Sequence, residues 1–220
     1  MGRVYCCIDL KSFFASVECV ERGLDPFKEN LVVADPDRGS GTICLAVSPA
    51  MKAAGVKNRC RVFEIPKNVR YITAKPRMKL YMEKSLQIYS VYLKFISPDD
   101  ILVYSIDECF IDLTDYVKLY GKTETELARL LVDAVYKETG IRAAAGVGTN
   151  MFLAKVALDI TAKHSADFMG YLDEEEFKKT IWRHRPITDV WNVGPGIAER
   201  LKRYGIYDLS LIHISEPTRR

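Results

Sequence analysis

The segment Tyr104–Leu113 reads YSIDECFIDL and places two adjacent carboxylates, Asp107 and Glu108, inside an otherwise apolar run. Apolar runs of this length that are rich in β-branched and aromatic residues predict buried strands. Because an unpaired charge is expensive to bury, this pair must be matched by cations or lie at a turn that faces a cleft. The chain is therefore expected to bring a buried strand, or the turn beside it, to a polar site.

A third carboxylate occupies a similar setting near the start of the chain. Val4–Leu10, with the sequence VYCCIDL, is a strand candidate that carries Asp9 near its end. Two strands that each deliver an acidic side chain to one end suit a divalent metal ion, since Mg²⁺ takes oxygen ligands and few protein carboxylates. The alternative is an acidic pair in an ordinary tight hairpin, because acidic residues are common in turns.

The composition is that of a globular protein, with 220 residues, 48% hydrophobic residues and a net charge of +3. This mildly basic balance permits a nucleic-acid partner without requiring one. The N-terminus does not read as a signal peptide, and no apolar stretch approaches the roughly 18 residues of a membrane span. We expect a cytoplasmic protein that does not contact a membrane. The cysteines form no CxxC pair and read as reduced, buried thiols: Cys6, Cys7, Cys19, Cys44, Cys60 and Cys109.

Hydrophobic periodicity predicts an α+β fold. The order is β-α, a small α/β insert, and then α-β-β-α-β-α; without the insert it predicts a ferredoxin-like antiparallel sheet backed by helices. The predicted strands are Arg3–Asp9, Leu31–Ala34, Thr42–Val47, a hairpin over Ile101–Leu113, and Ile141–Val147. The predicted helices are Ser12–Arg22, Pro49–Ala54, Arg77–Ile96, Thr123–Gly140, one from Asn150 to about Ala162, Asp173–Thr180 and Ile197–Tyr204.

Helix-capping residues support these boundaries. Ser12 and Asn150 are predicted N-caps. Thr123 with Glu126 forms the pattern of a capping box, in which each side chain bonds the other residue's backbone N–H.

Five segments carry a connected set of motifs. They are IDLKSFFASVE (Ile8–Glu18), CLAVSPAMKAAGV (Cys44–Val56), YSIDECFIDL (Tyr104–Leu113), AGVGTNMFLAKVA (Ala145–Ala157) and DVWNVGPGIAERLKRYGI (Asp189–Ile206). In this order they resemble the motifs of bacterial Y-family lesion-bypass DNA polymerases of the UmuC/DinB type. The resemblance covers about residues 3–208, and its first and third motifs together are the most specific.

The resemblance implies three domains. Residues 1–24 and 75–164 correspond to a ferredoxin-like palm, 25–74 to small α/β fingers, and 165–208 to part of a helical thumb that contains a helix-hairpin-helix. Family members continue into a little-finger domain, so we expect a chain truncated before that domain. Residues 209–220, LSLIHISEPTRR, do not fit the expected continuation and are predicted to be a non-native tail in which His213 has no function.

The resemblance implies a template-directed DNA polymerase that acts in translesion synthesis during DNA repair and damage tolerance. It would add dNMP to a primer 3′-hydroxyl with two Mg²⁺ ions. The implied catalytic residues are Asp9, Asp107 and Glu108, and the same side chains with the backbone carbonyl of Leu10 are the implied metal ligands. Clustered carboxylates repel one another, so metal binding is expected to depend on pH.

Nucleotide contacts are implied at five further positions. Phe14 matches the aromatic steric gate that rejects ribonucleotides by a clash at the sugar. Phe13 precedes it, and two core aromatics on a helix are the alternative for this pair. Many relatives carry a Tyr and an Arg in the fingers, where this chain has Pro49 and Lys52; we predict that Ser48 replaces the Tyr. Lys163 matches a lysine that binds the triphosphate, and a solvated surface lysine is its alternative.

The segment Asp189–Ile206 predicts a grip on duplex DNA. Its VGPG turn is followed by a cationic helix, and glycines let backbone N–H groups approach a phosphate. A plain αα-hairpin is the alternative. The implied DNA contacts, which do not read sequence, are Val193, Gly194, Gly196 and Lys202.

Two other functions remain open from the sequence. A different palm-type two-metal enzyme, such as a nucleotide cyclase, would need neither a duplex grip nor a sugar gate. A non-catalytic DNA-binding subunit would not need all three carboxylates. The expected partners are primer–template DNA and dNTP, with a sliding clamp as a further partner through a C-terminal region that this sequence does not contain.

Overall fold

The computed structural model describes residues 2–212, which form eight strands and eight α-helices. The strands are β1 (Tyr5–Leu10), β2 (Leu31–Val33), β3 (Ala46–Val47), β4 (Ile72–Ala74), β5 (Ile101–Val103), β6 (Glu108–Asp112), β7 (Ala143–Gly148) and β8 (Met169–Leu172). The helices are α1 (Phe13–Val20), α2 (Pro49–Ala53), α3 (Met78–Tyr92), α4 (Thr114–Tyr120), α5 (Glu124–Thr139), α6 (Met151–Val156), α7 (Glu174–Thr180) and α8 (Pro195–Lys202). Within this range, every helix is too short or too polar to cross a lipid bilayer.

The larger sheet has five strands in the order β5-β6-β1-β7-β8. Strand β1 pairs antiparallel with both β6 and β7, and β5 pairs antiparallel with β6. These four strands have the order of a ferredoxin-like βαββαβ unit, which confirms the predicted antiparallel sheet. The fifth strand, β8, pairs parallel with β7 and was not predicted, because MGYL is short and contains a glycine.

The two faces of this sheet are covered by different helices. Ile8 and Cys109 belong to a core that also contains buried residues of α1, α3 and α5. Cys7 and Phe110 point to the opposite face, where they pack with Ala154 of α6 and its continuation. Side chains alternate between the faces of a strand, so each strand serves both cores. All six cysteines are free thiols, and all but Cys60 are buried.

Helix α6 does not run regularly to residue 162. Asn150 accepts a hydrogen bond from the backbone N–H of Leu153 at 2.9 Å, which confirms the predicted cap. After Val156 the helix widens into a π-type turn over Ala157–Thr161 and then tightens into a 3₁₀ turn over Ala162–His164. Such wide turns are uncommon and change which side chains share a face.

The smaller sheet has three strands in the order β3-β2-β4 and its own core, within the region predicted to be fingers. The predicted strand Thr42–Val47 is wrong in extent, since regular pairing is confined to Ala46–Val47, with one isolated bridge from Ile43 to Arg61. The first part of the predicted strand bonds another segment instead, since the backbone N–H of Cys44 donates to the carbonyl oxygen of Cys60 at 2.8 Å.

Several helix boundaries differ from prediction, including those of α8, which spans Pro195–Lys202 rather than Ile197–Tyr204. Ser12 precedes α1 but has φ 48° and makes no capping bond with its side chain, so it is not the predicted side-chain cap. Helix α3 ends at Tyr92 rather than Ile96, and α4 was not predicted. The capping box of Thr123 and Glu126 is confirmed, because each side chain bonds the other's backbone N–H.

The last described part of the chain packs around a small third core. Phe177 of α7 and Val190 are buried there, and Leu209 packs against them. The backbone N–H of Ser210 donates to the carbonyl oxygen of Trp182 at 3.0 Å. Residues 209–212 thus pack on the preceding helices, whereas the prediction for residues 213–220, including His213, lies outside the described residues.

Close contact between β7 and α6 gives a prediction about stability. A Cβ atom at Gly146 would lie 2.1 Å from the backbone N of Leu158 and 2.3 Å from the carbonyl oxygen of Ala154. Gly146→Ala should therefore lower the free energy of unfolding by about 3 kcal/mol, at the upper end for overpacking. Urea unfolding followed by circular dichroism measures this. Gly41→Ala is the control, since a Cβ there meets nothing within 4 Å; equal stability of the two variants would contradict the tight packing.

Candidate active site

The pairing of β1 with β6 brings three acidic residues together. Asp9 lies directly opposite Glu108 in the antiparallel register. The backbone N–H of Leu10 donates to the carbonyl oxygen of Asp107 at 2.9 Å, which holds the turn before β6 against the end of β1. The two sequence segments that predicted a carboxylate site therefore meet at one end of the sheet.

Two lysines pair with two of these carboxylates, while the third, Asp107, accepts a hydrogen bond from the Ser105 hydroxyl at 2.7 Å. The Nζ of Lys155 lies 2.7 Å from Oε1 of Glu108, and both side chains are largely buried. The Nζ of Lys163 lies 3.2 Å from Oδ2 of Asp9. Both lysines also contact Asp159, at 3.1 Å from Lys155 and 2.9 Å from Lys163. The site is thus an ionic network rather than a bare acidic cluster.

Sequence reasoning missed Lys155 and Asp159. A signal was present, because Lys155, Asp159 and Lys163 recur every four residues and so share one side of a helix. That pattern is also typical of a solvated helix face. Only the contact of this segment with the sheet distinguishes the two interpretations.

The electrostatics of Asp9 follow from its position. Burial raises the pKa of its carboxyl above the usual value, repulsion from Asp107 and Glu108 adds to the increase, and Lys163 opposes it. Burial lowers the pKa of Lys163, but attraction to Asp9 and Asp159 outweighs burial and leaves that pKa well above its usual value. Lys163 therefore carries a full positive charge beside Asp9 at neutral pH.

The donor chemistry of the site fits a hard divalent cation. Carboxylate oxygens from Asp9, Asp107 and Glu108 and the carbonyl of Leu10 are the ligand types that Mg²⁺ prefers. Among residues 2–212, however, no three His, Cys, Asp or Glu side chains are already gathered as a metal site. Ammonium groups contact Asp9 and Glu108 instead, so a divalent cation would exchange with lysines at these oxygens.

Two more lysines, Lys11 and Lys52, lie close enough to Asp9 to interact with it electrostatically. Burial lowers the pKa of Lys11 and of Lys52, repulsion from Lys163 adds to the decrease, and attraction to Asp9 opposes it. The Nζ of Lys11 lies 4.5 Å from the centre of the Phe168 ring. The structure thus places Lys52 and Lys163, both predicted from sequence, near Asp9 together with Lys11, which was not predicted.

Phe13 and Phe14, the aromatic pair that follows β1, lie in different environments. The Phe14 ring is half-buried and stacks on Tyr81, with ring centres 4.5 Å apart and planes 13° apart. Phe13 is only 2% exposed and lies in the main core. This burial favours the core alternative for Phe13, which shares its cluster with residues of α3 and α5, and the contact of Phe13 with a nucleotide stays a prediction.

Tyr81 is itself fixed by a buried carboxylate. Its hydroxyl donates to Oε1 of Glu18 at 2.7 Å, and Arg77 donates two hydrogen bonds to the same carboxylate at 2.9 and 2.7 Å. Arg22 makes a further ion pair with Glu18. Burial raises the pKa of Glu18, but these hydrogen bonds outweigh it and leave the pKa below its usual value. Phe14 therefore stacks on a tyrosine whose hydroxyl is held in place by a carboxylate that is itself paired with two arginines.

Ser48 does not reach the site with its side chain. It is fully buried, and its hydroxyl donates to the carbonyl oxygen of Glu29 at 2.7 Å. The Oγ of Ser48 in turn accepts hydrogen bonds from the backbone N–H groups of Leu31 and Met51. The prediction that Ser48 replaces a nucleotide-binding tyrosine is therefore corrected: this serine caps α2.

The predicted DNA contacts lie at the start and end of α8. Gly194 is the N-cap, Gly196 lies in the first turn, and Lys202 is the last helical residue. Val193 is partly buried in the third core. Trp191, which was not predicted, packs 5.8 Å from the Phe110 ring and so connects this region to the sheet face that carries Glu108.

Comparisons with known proteins agree with the geometry. The chain is 34% identical over 203 residues to DNA polymerase IV 2 of Bacillus subtilis, a match that covers 90% of this chain and 47% of that protein. It is 35% identical over 207 residues to DNA polymerase IV 2 of Halalkalibacterium halodurans, covering 94% and 49%. Among solved structures, the insertion ternary complex of Dbh DNA polymerase superposes with a TM-score of 0.81 at 25% identity, over 97% of this chain and 61% of that one.

The fold is that of Y-family DNA polymerases, since the Y-family chimera Dbh-Dpo4(243-245)-Dbh also superposes with a TM-score of 0.81 at 26% identity. Residues 8–159 match the family described as IMS: impB/mucB/samB, and the chain belongs to it. The predicted family is thereby confirmed. The chain spans about half the length of the curated relatives it matches.

Proposed function

We propose that this chain carries the catalytic part of a translesion DNA polymerase, which adds dNMP from a dNTP to the primer 3′-hydroxyl of primer–template DNA. The convergence of Asp9, Asp107 and Glu108 at the paired ends of β1 and β6 is the observation that carries this proposal. Relatives named DNA polymerase IV and a neighbour named as a polymerase ternary complex support it.

The proposed division of the chain follows the two sheets. Residues 1–24 and 75–164 form the palm, 25–74 the fingers, and 165–208 part of the thumb. The smaller sheet and its separate core support the second of these regions, and the third core supports the last.

The carboxylates would hold two Mg²⁺ ions, with the Leu10 carbonyl as a further ligand. When bound, such ions activate the attacking hydroxyl and neutralise charge on the leaving pyrophosphate. Asp9 and Asp107 are the proposed ligands for both ions, and Glu108 serves the ion at the primer end. Desolvation of these groups in the folded chain strengthens their attraction for cations.

Three lysines are proposed to bind the triphosphate. Lys163 contacts Asp9 at 3.2 Å, and Lys11 and Lys52 lie close enough to interact with Asp9 electrostatically, so an anion placed beside Asp9 would meet positive charge. Lysine binds phosphate as a point charge and tolerates changes in geometry during the reaction. In this role the three side chains orient the nucleotide and withdraw charge from the phosphates.

Phe14 is proposed to select the sugar. Its ring is half-buried and leans on Tyr81, so it cannot move deeper into the core to admit a 2′-hydroxyl. An apolar ring discriminates through a clash rather than through a hydrogen bond.

The turn before α8 is proposed to be a helix-hairpin-helix that grips the duplex backbone through Val193, Gly194, Gly196 and Lys202. A Cβ atom at Gly194 or Gly196 would meet nothing within 4 Å, and both have a negative φ. The fold itself therefore does not require glycine here. Close approach of a phosphate to backbone N–H groups gives glycine a reason.

Substitution of a proposed metal ligand tests the catalytic assignment. Asp107→Ala should lower the rate of nucleotide addition at least about 100-fold, the scale of one lost electrostatic contact to developing charge, while duplex binding stays intact. Primer extension on undamaged template at low salt, with Mg²⁺ and with EDTA, measures this. Asp133→Ala on the exposed face of α5 is the control. Extension by the Asp107 variant at the wild-type rate would refute the assignment.

Truncation of the aromatic ring tests the sugar gate. Phe14→Ala should raise the incorporation of a matched rNTP relative to dNTP by about tenfold or more, because the ring no longer excludes the 2′-hydroxyl. Steady-state insertion of each nucleotide by the same preparation gives the ratio. A ratio equal to that of the wild-type chain would show that Phe14 is a core aromatic only.

Bulk at the glycine turn tests the duplex grip. Gly196→Val should leave the thermal midpoint unchanged or higher, since Val is a better helix former than Gly. It should weaken binding to a fluorescent hairpin duplex about tenfold, the loss of roughly one backbone contact to a charged group. Fluorescence anisotropy at low salt measures the affinity, and Gly41→Val is the matched control because its Cβ also meets open space. Equal affinities for both variants would contradict the proposed grip.

A further inference from the structure

Five charged side chains form a continuous chain across the site. Glu108 contacts Lys155, Lys155 contacts Asp159, Asp159 contacts Lys163, and Lys163 contacts Asp9, with nitrogen–oxygen distances between 2.7 and 3.2 Å. The two ends are proposed metal ligands on neighbouring strands. The middle member, Asp159, lies on the wide helical turn and belongs to neither the metal set nor the nucleotide set.

Asp159 is the carboxylate that both lysines share. Its side chain is 25% exposed, and one oxygen lies within 3.2 Å of Lys155 Nζ and 2.9 Å of Lys163 Nζ. Lys155 is only 8% exposed, so few water molecules are available to replace a lost partner. Attraction to both Glu108 and Asp159 raises the pKa of Lys155 despite its burial.

We infer that Asp159 is a positioning residue that holds Lys155 and Lys163 against the carboxylates and remains their partner when divalent cations take Glu108 and Asp9. This inference rests on the proposed metal site. In this inference Asp159 sets how strongly divalent cations bind. It acts through the two lysines and is not itself a ligand.

The reason is the cost of an unpaired buried charge. A divalent cation at Asp9 or Glu108 displaces an ammonium group, and breaking a buried ion pair is strongly unfavourable when the remaining charge has no partner. Asp159 contacts both ammonium groups and is itself no proposed metal ligand, so it can keep these contacts when the lysines leave the strand carboxylates. Without it, each lysine would compete more strongly for its remaining carboxylate.

Binding of Mn²⁺ to the nucleotide-free 220-residue chain tests this without any reaction. The electron paramagnetic resonance signal of free Mn²⁺ gives the affinity. We expect Asp159→Asn to weaken binding about tenfold, the scale of losing one charged hydrogen-bond partner. Asp133→Asn should bind as the wild-type chain does. An Asp159→Asn affinity within twofold of wild type would overturn the inference.

A double-mutant cycle separates action through the lysines from a general field effect. In a Lys163→Met background, Asp159→Asn should weaken Mn²⁺ binding only about threefold, because the share that acts through Lys163 is gone. A full tenfold loss in that background would mean that Asp159 acts on the cation directly, and the inference would be wrong. Circular dichroism of each variant confirms that it is folded.

A second measurement uses the wild-type chain and therefore does not depend on whether a variant folds. The ammonium ¹⁵N resonances of Lys155 and Lys163 should shift as Mg²⁺ is added, whereas that of the exposed Lys118 should not. Mg²⁺ binding without these shifts would overturn the inference while leaving the polymerase proposal in place. A wild-type chain that binds neither Mg²⁺ nor Mn²⁺ would overturn both.

Discussion

The antiparallel pairing of β1 with β6 is the interaction on which the rest of the site depends. Its register places Asp9 opposite Glu108 and Cys7 opposite Phe110, so acidic and apolar side chains of the same strands share one face. A slip of β6 by one residue would turn Glu108 and Phe110 to the other face, against the main core. The long apolar run that buries Ile111 makes such a slip costly, and hydrophobic burial thereby fixes the geometry of a polar site.

Close backbone packing also explains why lysines contact Glu108 and Asp9. The segment after β7 crosses the sheet so closely that Gly146 has no room for a side chain. This approach carries Lys155 and Lys163 to the ends of β1 and β6. The small residues of β7 allow this close backbone contact. The contact in turn sets the positions of the charged side chains on the following helix.

The strand order and the meeting of the acidic residues could be predicted because both follow from short-range patterns. Apolar runs identify β1 and β6, and each run carries its carboxylates with it. Phe13 and Phe14 show the limit of that approach, since adjacent helical residues point about 100° apart and only one can face the core. Which of the two does so depends on how α1 starts. Ser12, the residue before α1, has a left-handed backbone conformation that the sequence does not predict.

Similar limits apply to the helix that carries Lys155. A periodic pattern predicts a regular helix, whereas the helix widens over Ala157–Thr161.

The serine at the start of α2, Ser48, was predicted to contact the nucleotide because it is a polar residue within a motif. Its hydroxyl instead forms hydrogen bonds with three backbone groups. Such bonds cannot be predicted from the local sequence when the partners belong to another segment of the chain.

The wide turn has a consequence for how this part of the gene can vary in length. A π-type turn holds one residue more than regular α-helix over the same span. Loss of a single codon between Ala157 and Thr161 would therefore restore regular helix over the same span, and the segment beyond it would keep its place relative to Lys155. Both lysines would still face the same strand ends. The number of residues between the lysines can thus change by one at this turn without moving either charge, whereas the same loss in a regular helix would rotate the following residues by about 100°.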